Sequence, residues 1–505
     1  MGHDPNTRPK GILLATAALW TLLAGGCASH QPVPPAPQRP DLKPTRALDR
    51  TQALTLDASD VKPMYTEMLA VDLPTVVRVA AAENFDIRQA RQAVIASQGR
   101  LESAVGAAFP VIVPTALFEH VEGTVRATEG NLVGVGFNTF QPSVAVQWVI
   151  NPGRVVYDII AAKKRLAASA DNERSVVLET LRRSVVEFYD LVLAQARVSA
   201  ARQGVAEAEE LLRINQLRTR TGTGVPADEL RAEARLAERR QDLITAMRSF
   251  YDASVALAFT LHLNASVTLV PNIKELPPTY LVRNDLDIEE LLGFAVAFRP
   301  DLQRVRTLVE AITADKGATW WGAFGPQFEA GFQYGGITGH ADDVVPTETL
   351  VGGATVATHD DQTFGFSDQL RADARVGWRL SVSAFGDLKT AAARQEQAHL
   401  QAQRKLDRVH AEVVTANQAS KANNELLGLS GQQVAAAAEA LRLTEANLRA
   451  GTMTTLDVLQ AQDAVTQARL RHAEAVVRYN QSQVNLLAAL GLLDEQTLSP
   501  ASSNE

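Results

Sequence analysis

The chain repeats itself at long range. Asn84-Phe85-Asp86-Ile87 and, 215 residues later, Arg299-Pro300-Asp301-Leu302 each close an apolar helix start and lead through a helical stretch to Phe109-Pro110 or Gly325-Pro326. A second pair follows. Arg220-Thr221-Gly222-Thr223-Gly224-Val225-Pro226-Ala227-Asp228-Glu229-Leu230 stands 229 residues before Arg449-Ala450-Gly451-Thr452-Met453-Thr454-Thr455-Leu456-Asp457-Val458-Leu459, with Arg, Gly, Asp and the second Leu coinciding. Solenoids and propellers repeat every ~20 to 50 residues, so a period of about 220 means one duplicated unit in a single pseudo-symmetric body.

A length of 505 residues suggests about three domains at roughly 150 residues each, but two tandem copies of one fold suit the repeat better. Aromatic residues make up only 6%, while Ala, Leu, Gln, Glu and Arg crowd the helical stretches, as in long helices packed by small side chains. The net charge of -8 comes without a dense basic patch, which argues against a phosphate-binding surface and against nucleic acid as a partner.

The amino terminus reads as an address. Arg8 and Lys10 precede the apolar run from Gly11 to Leu23, and Ala24-Gly25-Gly26 lead to Cys27. That pattern predicts a secretory signal peptide over 1–26 with a lipobox-like end. The run is shorter than the ~20 residues of a membrane-spanning helix, and the single cysteine has no disulfide partner. Lipidation of Cys27 after cleavage follows, the alternative being a chance cysteine in an ordinary signal. The Pro-rich stretch after it, Gln31 to Pro40, makes 27–63 an extended tether.

From about 155 to 217 and from about 388 to 448 there is no proline, and apolar residues recur every seven positions. The first series is Val177, Leu191, Val198, Val205 and Leu212, interrupted by Ser184; the second is Leu406, Val413, Leu427, Val434, Leu441 and Leu448, interrupted by Ser420. A heptad kept this long specifies a left-handed coiled coil, and ~60 residues make a rod of about 90 Å. Returning helices over about 227–263 and 456–492 are half as long. A further helix in each copy, about 73–106 and 288–321, has the length to cover the rest of each rod, so that two short helices stack end to end along one long one. The copies span 64–280 and 281–495, with a disordered tail over 496–505.

Strand alternation lies between the helices. In Gln327 to Tyr334 apolar side chains fall on even positions, and in Asp373 to Leu380 Asp and two Arg occupy the other face. Ser143 to Ile150 is the counterpart in the first copy, with Trp148 matching Trp378, and Val111 to Glu122 supplies a fourth strand. One apolar and one charged face suit a membrane barrel with a wet lumen; a half-buried soluble sheet is the alternative. Four strands cannot close a barrel and open edges are not tolerated in lipid, so the reading requires three protomers and 12 strands. Segments 123–141 and 335–370, rich in Gly, Thr, Asp and Asn, read as outward loops.

Residues 64 to 495 resemble the TolC family of bacterial outer-membrane factors, in its lipoprotein branch. The resemblance rests on the duplicated helix-strand-strand-helix order, on the Gly-Thr turn followed by Asp457-Val458-Leu459 and Ala461, and on Asn485-Leu486-Leu487-Ala488-Ala489-Leu490-Gly491. It implies a fold that is mainly α with a transmembrane β-barrel part: duplicated coiled-coil hairpins forming a trimeric α-barrel across the periplasm, and a 12-stranded barrel in the outer membrane of a Gram-negative bacterium. It also implies a homotrimer whose periplasmic tip docks on an adaptor (membrane fusion) protein bound to an inner-membrane pump. Gly222, Thr223, Gly224, Gly451, Thr452 and Met453 would then be the adaptor-docking tips, although glycines there also cap helices. Asp457 aligns with an acid that lines the closed tunnel end in some members, and Gln460 stands where a second acid often occurs; together they are the candidate periplasmic gate. An Asp near a helix start is equally favoured by the helix dipole. Met453 replaces a basic residue that ties the tip in some relatives, so no such lock is carried over.

No zinc-protease motif, phosphate loop or nucleophile elbow is present. His340-Ala341-Asp342-Asp343 and His359-Asp360-Asp361 read as a solvated acidic loop rather than a metal site. The expectation is therefore no enzyme, no catalytic residues, no cofactor and no metal, but a passive exit duct of a tripartite efflux system for small molecules. Type I protein secretion and metal efflux remain open within that class. A non-conducting coiled-coil stalk or a peripheral periplasmic scaffold are rivals from outside it.

Overall fold

Each half of the chain folds as two strands flanked by helices, and the sequence explains where every long helix starts. The computed structural model describes residues 54–55, 67–126, 132–222, 225–273, 275–283, 285–343, 349–351, 354–356, 360–449 and 452–498. In chain order the first copy comprises β1 (Leu54–Thr55), β2 (Glu67–Val71), α1 (Leu73–Glu83), α2 (Phe85–Gly106), β3 (Val111–Arg126), β4 (Leu132–Ile150), α3 (Pro152–Arg220) and α4 (Pro226–Thr260). Then come β5 (Val267–Pro271), β6 (Glu275–Leu276), α5 (Ile288–Phe298), α6 (Pro300–Phe324), β7 (Gln327–Asp343), β8 (Thr349–Val351), β9 (Ala354–Val356), β10 (Asp360–Gly377), α7 (Ser383–Arg449), α8 (Thr455–Ala489) and α9 (Glu495–Leu498). All belong to one unit, Leu42–Glu505. The signal peptide, Cys27 and nearly all of the tether lie outside the described residues.

The rods α3 and α7 run 69 and 67 residues, about 100 Å each. Asn151 starts α3: its Oδ1 accepts from Arg154 N at 3.0 Å and its Nδ2 donates to Trp321 O at 2.8 Å, which ties the rod to the end of α6. The heptad seam is deepest at mid-rod, where Ser184, Leu191 and Val198 are fully buried, as are Val413, Ser420 and Leu427 in the second copy. The serines survive there because each has a partner. Ser184 donates to Thr180 O at 2.9 Å, and Ser420 accepts from Gln483 Nε2 at 2.7 Å.

The stretches 73–106 and 288–321, each expected as one helix, are broken at Asn84 and Arg299. Both residues are extended, and the reasons are local. Asn84 turns its side-chain oxygen onto Asp86 N and Ile87 N, capping α2, whereas Arg299 precedes Pro300, which disfavours helical geometry. The break lets the short helices stack. Asn84 Nδ2 donates to Thr260 O, the last carbonyl of α4, at 3.1 Å; in the second copy Arg299 Nη1 donates to Ala489 O, the last carbonyl of α8, at 3.4 Å. Thus α2 continues the line of α4 on one flank of α3, while α6 and α8 share the line between α3 and α7.

Both returning helices end in the same Schellman turn. Leu263 N donates to Ala258 O and Leu492 N to Leu487 O, across left-handed residues His262 (φ 55°) and Gly491 (φ 75°). A Cβ at Gly491 would lie 2.8 Å from the Arg299 backbone. In the first copy the chain has room for a ring, and His262 stacks on Phe85 with centroids 4.2 Å apart. Beside Gly491 the second junction is ionic: Arg299 forks onto Asp301 and reaches Glu412 at 2.5 Å, and Lys405 also reaches Asp301 at 2.5 Å. Burial alone pushes the Asp301 carboxyl up, but the bonds and charges of Arg299 and Lys405 outweigh it and bring it down to about 2.

A belt that the sequence reading did not identify crosses the middle of the rods. The parallel pair β2 and β5, with α1, α5 and β6, covers a core that includes Leu181, Val185, Phe188, Phe250, Leu269, Val476 and Leu487. Its irregular segment 277–282 is held by two amides of α8. Asn480 Oδ1 accepts from Thr279 N at 2.7 Å, and Gln483 Oε1 accepts from Leu281 N and Val282 N at 3.0 and 2.9 Å. The expected disordered tail is shortened, because α9 extends to Leu498, which is buried, under an Asp494–Thr497 cap; residues 499–505 lie outside the described residues.

The main sheet is antiparallel in the order β10-β7-β4-β3. Its strands run well past the expected ones, so most of the expected loops 123–141 and 335–370 is strand. His340 to Asp343 and Asp360 to Asp361 lie in the paired strands β7 and β10, opposite one another, rather than in an acidic loop; His359 lies outside the described residues. Strand β10 stops at Gly377, so Trp378 stands just beyond it and is not the partner in place that Trp148 would suggest. Trp148 donates to Ala108 O at 2.9 Å.

Two stability outcomes follow. Gly491→Ala places a side chain in a left-handed residue, at roughly 1–2 kcal/mol, and against the Arg299 backbone, so it should lower the melting temperature clearly more than His262→Gly does; equal shifts would refute the packing argument. The Asp301 carboxyl is depressed when folded, so its stabilisation is complete above the ordinary carboxylate range and lost as pH falls through about 2. Acid unfolding curves between pH 4 and 2 should therefore be flattened in Asp301→Asn, which forgoes about 2 kcal/mol at neutral pH.

Candidate functional site

The two hairpin turns place six of the expected site residues at one end of the coiled coils. At the first, Thr221 N and Oγ1 both donate to Leu217 O, and Gly222 adopts φ 73° with its N–H on Thr219 O. Only a residue without Cβ takes this conformation freely, so Gly222 caps α3. Thr223 and Gly224 lie outside the described residues. Val225 precedes α4 without a side-chain cap, and Pro226 with Asp228 and Glu229 gives the first turn its preferred composition.

At the second turn Gly451 lies outside the described residues. Thr452 N and Oγ1 both donate to Asn447 O, at 3.0 and 3.1 Å. Met453 follows with 40% of its surface exposed. Thr454 and Asp457 then form a capping box: Thr454 N donates to Asp457 Oδ2 at 2.8 Å while Asp457 N donates to Thr454 Oγ1 at 3.4 Å. These bonds from Thr454 hold the Asp457 carboxyl below its ordinary value. Gln460 is exposed one turn further along α8 and makes no part of the box. Around both turns Leu217, Val225, Leu230 and Leu456 are exposed as well, an apolar fringe of the kind that marks protein contact surfaces.

The structure adds a tie between the two hairpins. Arg235 and Arg239 of α4, one helical turn apart, both donate to Asp463 of α8, one guanidinium to each carboxylate oxygen. Arg197 reaches Glu474 at 2.5 Å further up. The sequence held one signal for this tie, two arginines four positions apart on one face, without showing which acid they meet.

At the other end the sheet separates its faces. Phe328, Phe332 and Tyr334 of β7 share a face with Leu370 and Val376 of β10 and with Val144, Val146 and Trp148 of β4. The opposite face carries the Arg375–Glu329 ion pair, with Asp373 and Gln333. Among the described residues no helix is long and apolar enough to cross a membrane, and no group of three or more His, Cys, Asp or Glu is placed to hold a metal ion.

Comparison with known proteins fits this geometry. The family model for outer membrane efflux proteins matches residues 76–261 and again 295–492. Among solved structures, the Campylobacter jejuni CmeC outer membrane channel has a TM-score of 0.69 at 15% identity, over 91% of this chain and 96% of that one. The outer-membrane channel OprN gives 0.68 at 19%, over 90% and 98%. The Neisseria gonorrhoeae MtrE outer membrane channel, in its open state, gives 0.66 at 18%, over 90% and 98%. At these identities the likeness is one of fold. No match is found among curated proteins.

Asp463→Ala leaves Arg235 and Arg239 without their shared acid. Partly exposed pairs of this kind contribute about 1 kcal/mol, so amide exchange over residues 452–463 should quicken by roughly fivefold. Unchanged exchange would mean that the bonds do not hold the second hairpin.

Proposed function

We propose, because this chain belongs to the outer membrane efflux protein family, that three copies close around one axis to make its duct. The protein is an efflux exit duct with a helical barrel part and a β-barrel part. The observation that carries the trimer is the set of open flanks on a single copy. Among the described residues β3 and β10 each have a neighbour on one side only, and three such sheets would pair edge to edge into a 12-stranded barrel.

The helices support the same closure. Rod α3 is flanked on both sides, by α2 and α4 and by α6 and α8, whereas α7 meets α6 and α8 on one side and lacks the counterpart on the other. The exposed apolar side chains cluster on these unmatched flanks: Ile95 of α2, Ile244 and Phe259 of α4, and Phe385, Leu426 and Leu429 of α7. By the internal repeat, α7 would take α2 and α4 of the next copy as α3 takes α6 and α8. The apolar face of the sheet would meet lipid, and the face bearing Arg375, Glu329 and Asp373 would line the water-filled lumen.

In this reading the two copies, 64–280 and 281–495, alternate around a pseudo-sixfold tube. The duct is passive, with no catalytic residues, and sits in the outer membrane anchored by an acylated Cys27 on the Pro-rich tether. The turns at Gly222–Gly224 and Gly451–Met453 dock on a periplasmic adaptor protein that couples the duct to an inner-membrane pump. Three Asp457 carboxylates, kept ionised by their Thr454 caps, ring the closed tip near Gln460, and the Arg235–Arg239–Asp463 tie holds that tip together. Small molecules are the cargo.

Purified protein should run as a trimer and give discrete conductance steps in planar bilayers, with larger steps in Asp457→Ala. A folded, lipid-free monomer with no conductance would overturn the reading. Cys27→Ser should lose incorporation of labelled fatty acid while keeping the trimer, since the barrel rather than the anchor closes the assembly.

A further inference from the structure

The bare side of the rod layer carries a hollow that the family reading leaves without a role. It has a volume of about 760 Å³ and lies between α3, α7 and α8 where α6 begins. On α8 the belt is gripped by Asn480 and Gln483, with Val476 and Leu487 buried beside them. Arg478, Gln481 and Asn485, which line the hollow, point about half a turn away at ~100° per residue. A tube closed with the bulky belt outside turns this hollow toward the lumen.

Its charges do not balance. Four arginines and two glutamates line it. Glu179 is fully engaged by the fork of Arg182, at 2.8 and 2.6 Å, and Glu412 by Arg299 at 2.5 Å. Arg408 and Arg478 are exposed, and among the described residues neither has a carboxylate partner. The floor between them is apolar, with Leu178, Ala416 and Ala419. Two free guanidiniums over an apolar floor, in a concavity of the size that takes small molecules, match an ion with one carboxylate, sulfonate or phosphate group and a flat apolar body. The guanidinium fork binds such groups through two parallel bonds, and the concave wall concentrates the field of both.

We propose that this hollow is a wall subsite for amphiphilic organic anions passing along the duct. The inference rests on the exit-duct reading for its direction toward the lumen and for naming these anions as cargo. Three hollows at one height set six free guanidiniums around the axis. The site is shallow, and its arginines stay hydrated, so binding is weak and release is quick, as conduction requires.

The test is equilibrium binding of naphthalene-2-sulfonate to the purified full-length trimer, with naphthylmethylammonium as the cation of like shape. Saturable sulfonate binding at three sites per trimer is expected, with no saturable binding of the cation. Arg408→Gln with Arg478→Gln should weaken the sulfonate about tenfold, and Arg408→Lys with Arg478→Lys should keep most of the affinity, with the fork lost but the charge kept. Trimer mass and melting temperature establish that each variant is folded; if the double glutamine variant does not assemble, the exposed single change Arg408→Gln gives the same comparison. Undiminished binding in the glutamine variants, or none in the native protein, overturns the subsite, whether because a neighbouring copy's acids satisfy the arginines or because the hollow is closed. A protein that conducts in bilayers without binding sulfonate sinks only this inference, whereas one that binds it but never conducts sinks the exit-duct reading.

Discussion

Every peptide group that enters hydrocarbon must find a hydrogen-bond partner within the protein, and a single copy of this chain cannot meet that demand. Strands β3 and β10 span 16 and 18 residues, and along each outer edge alternate residues leave an N–H and a C=O unpaired. At several kcal/mol for each such group in lipid, the deficit exceeds the roughly 5–15 kcal/mol by which a folded domain is stable. Closure between copies is therefore a condition of the fold in the membrane. The helices inherit it, because α3 and α7 continue from strands whose positions are fixed by the closing of the sheet.

Duplication solves the resulting packing problem with one backbone design and two sets of side chains. The junctions of the stacked short helices show this most clearly. Both use a Schellman turn and a side-chain donor to the last carbonyl of the returning helix, but one uses Asn84 and the stacked rings of His262 and Phe85, and the other Arg299 above Gly491. The glycine is needed because the Arg299 backbone passes where a Cβ would stand. The ionic junction draws Asp301, Lys405 and Glu412 into one network, so the surplus arginines gather beside the second copy only. A backbone repeat near sixfold thus carries a charge pattern that is threefold.

What the sequence disclosed depended on the range of the interactions. The heptads of α3 and α7 and the glycine turns are local patterns, and both rods and the Gly222 cap stand where they place them. The end-to-end stacking of short helices could also be read, from lengths alone. The breaks at Asn84 and Arg299 were missed because the partners, Thr260 O and Ala489 O, come from helices 176 and 190 residues away. The belt was missed for a similar reason, since residues 277–282 have no regular structure and are held by Asn480 and Gln483. The strands were read too short because Gly, Thr and Asp at 335–343 resemble loop composition, yet a wet barrel face accepts them in strand. At the tip, Asp457 matched both a helix-start and a gate pattern, and the capping box supplies the first without removing the second.

That double role bears on how charge acts along the proposed duct. The box uses Asp457 Oδ2 for both bonds from Thr454, leaving the other oxygen for the lumen, and it keeps the carboxyl ionised where three like charges would otherwise favour protonation. The closed tip is then an anionic ring, whereas the mid-duct hollows present free guanidiniums. An organic anion approaching from the pump meets repulsion before attraction. Electrolyte screens charges over about 8 Å at physiological ionic strength, so the repulsion fades once the tip opens beyond that distance from its centre. The hollows behave differently, because their cargo lies against the wall and within reach of Arg408 and Arg478 however wide the tube becomes. Opening the tip therefore removes the barrier to anions while leaving their wall sites in place, and one mechanical step is enough to make the duct permissive to them.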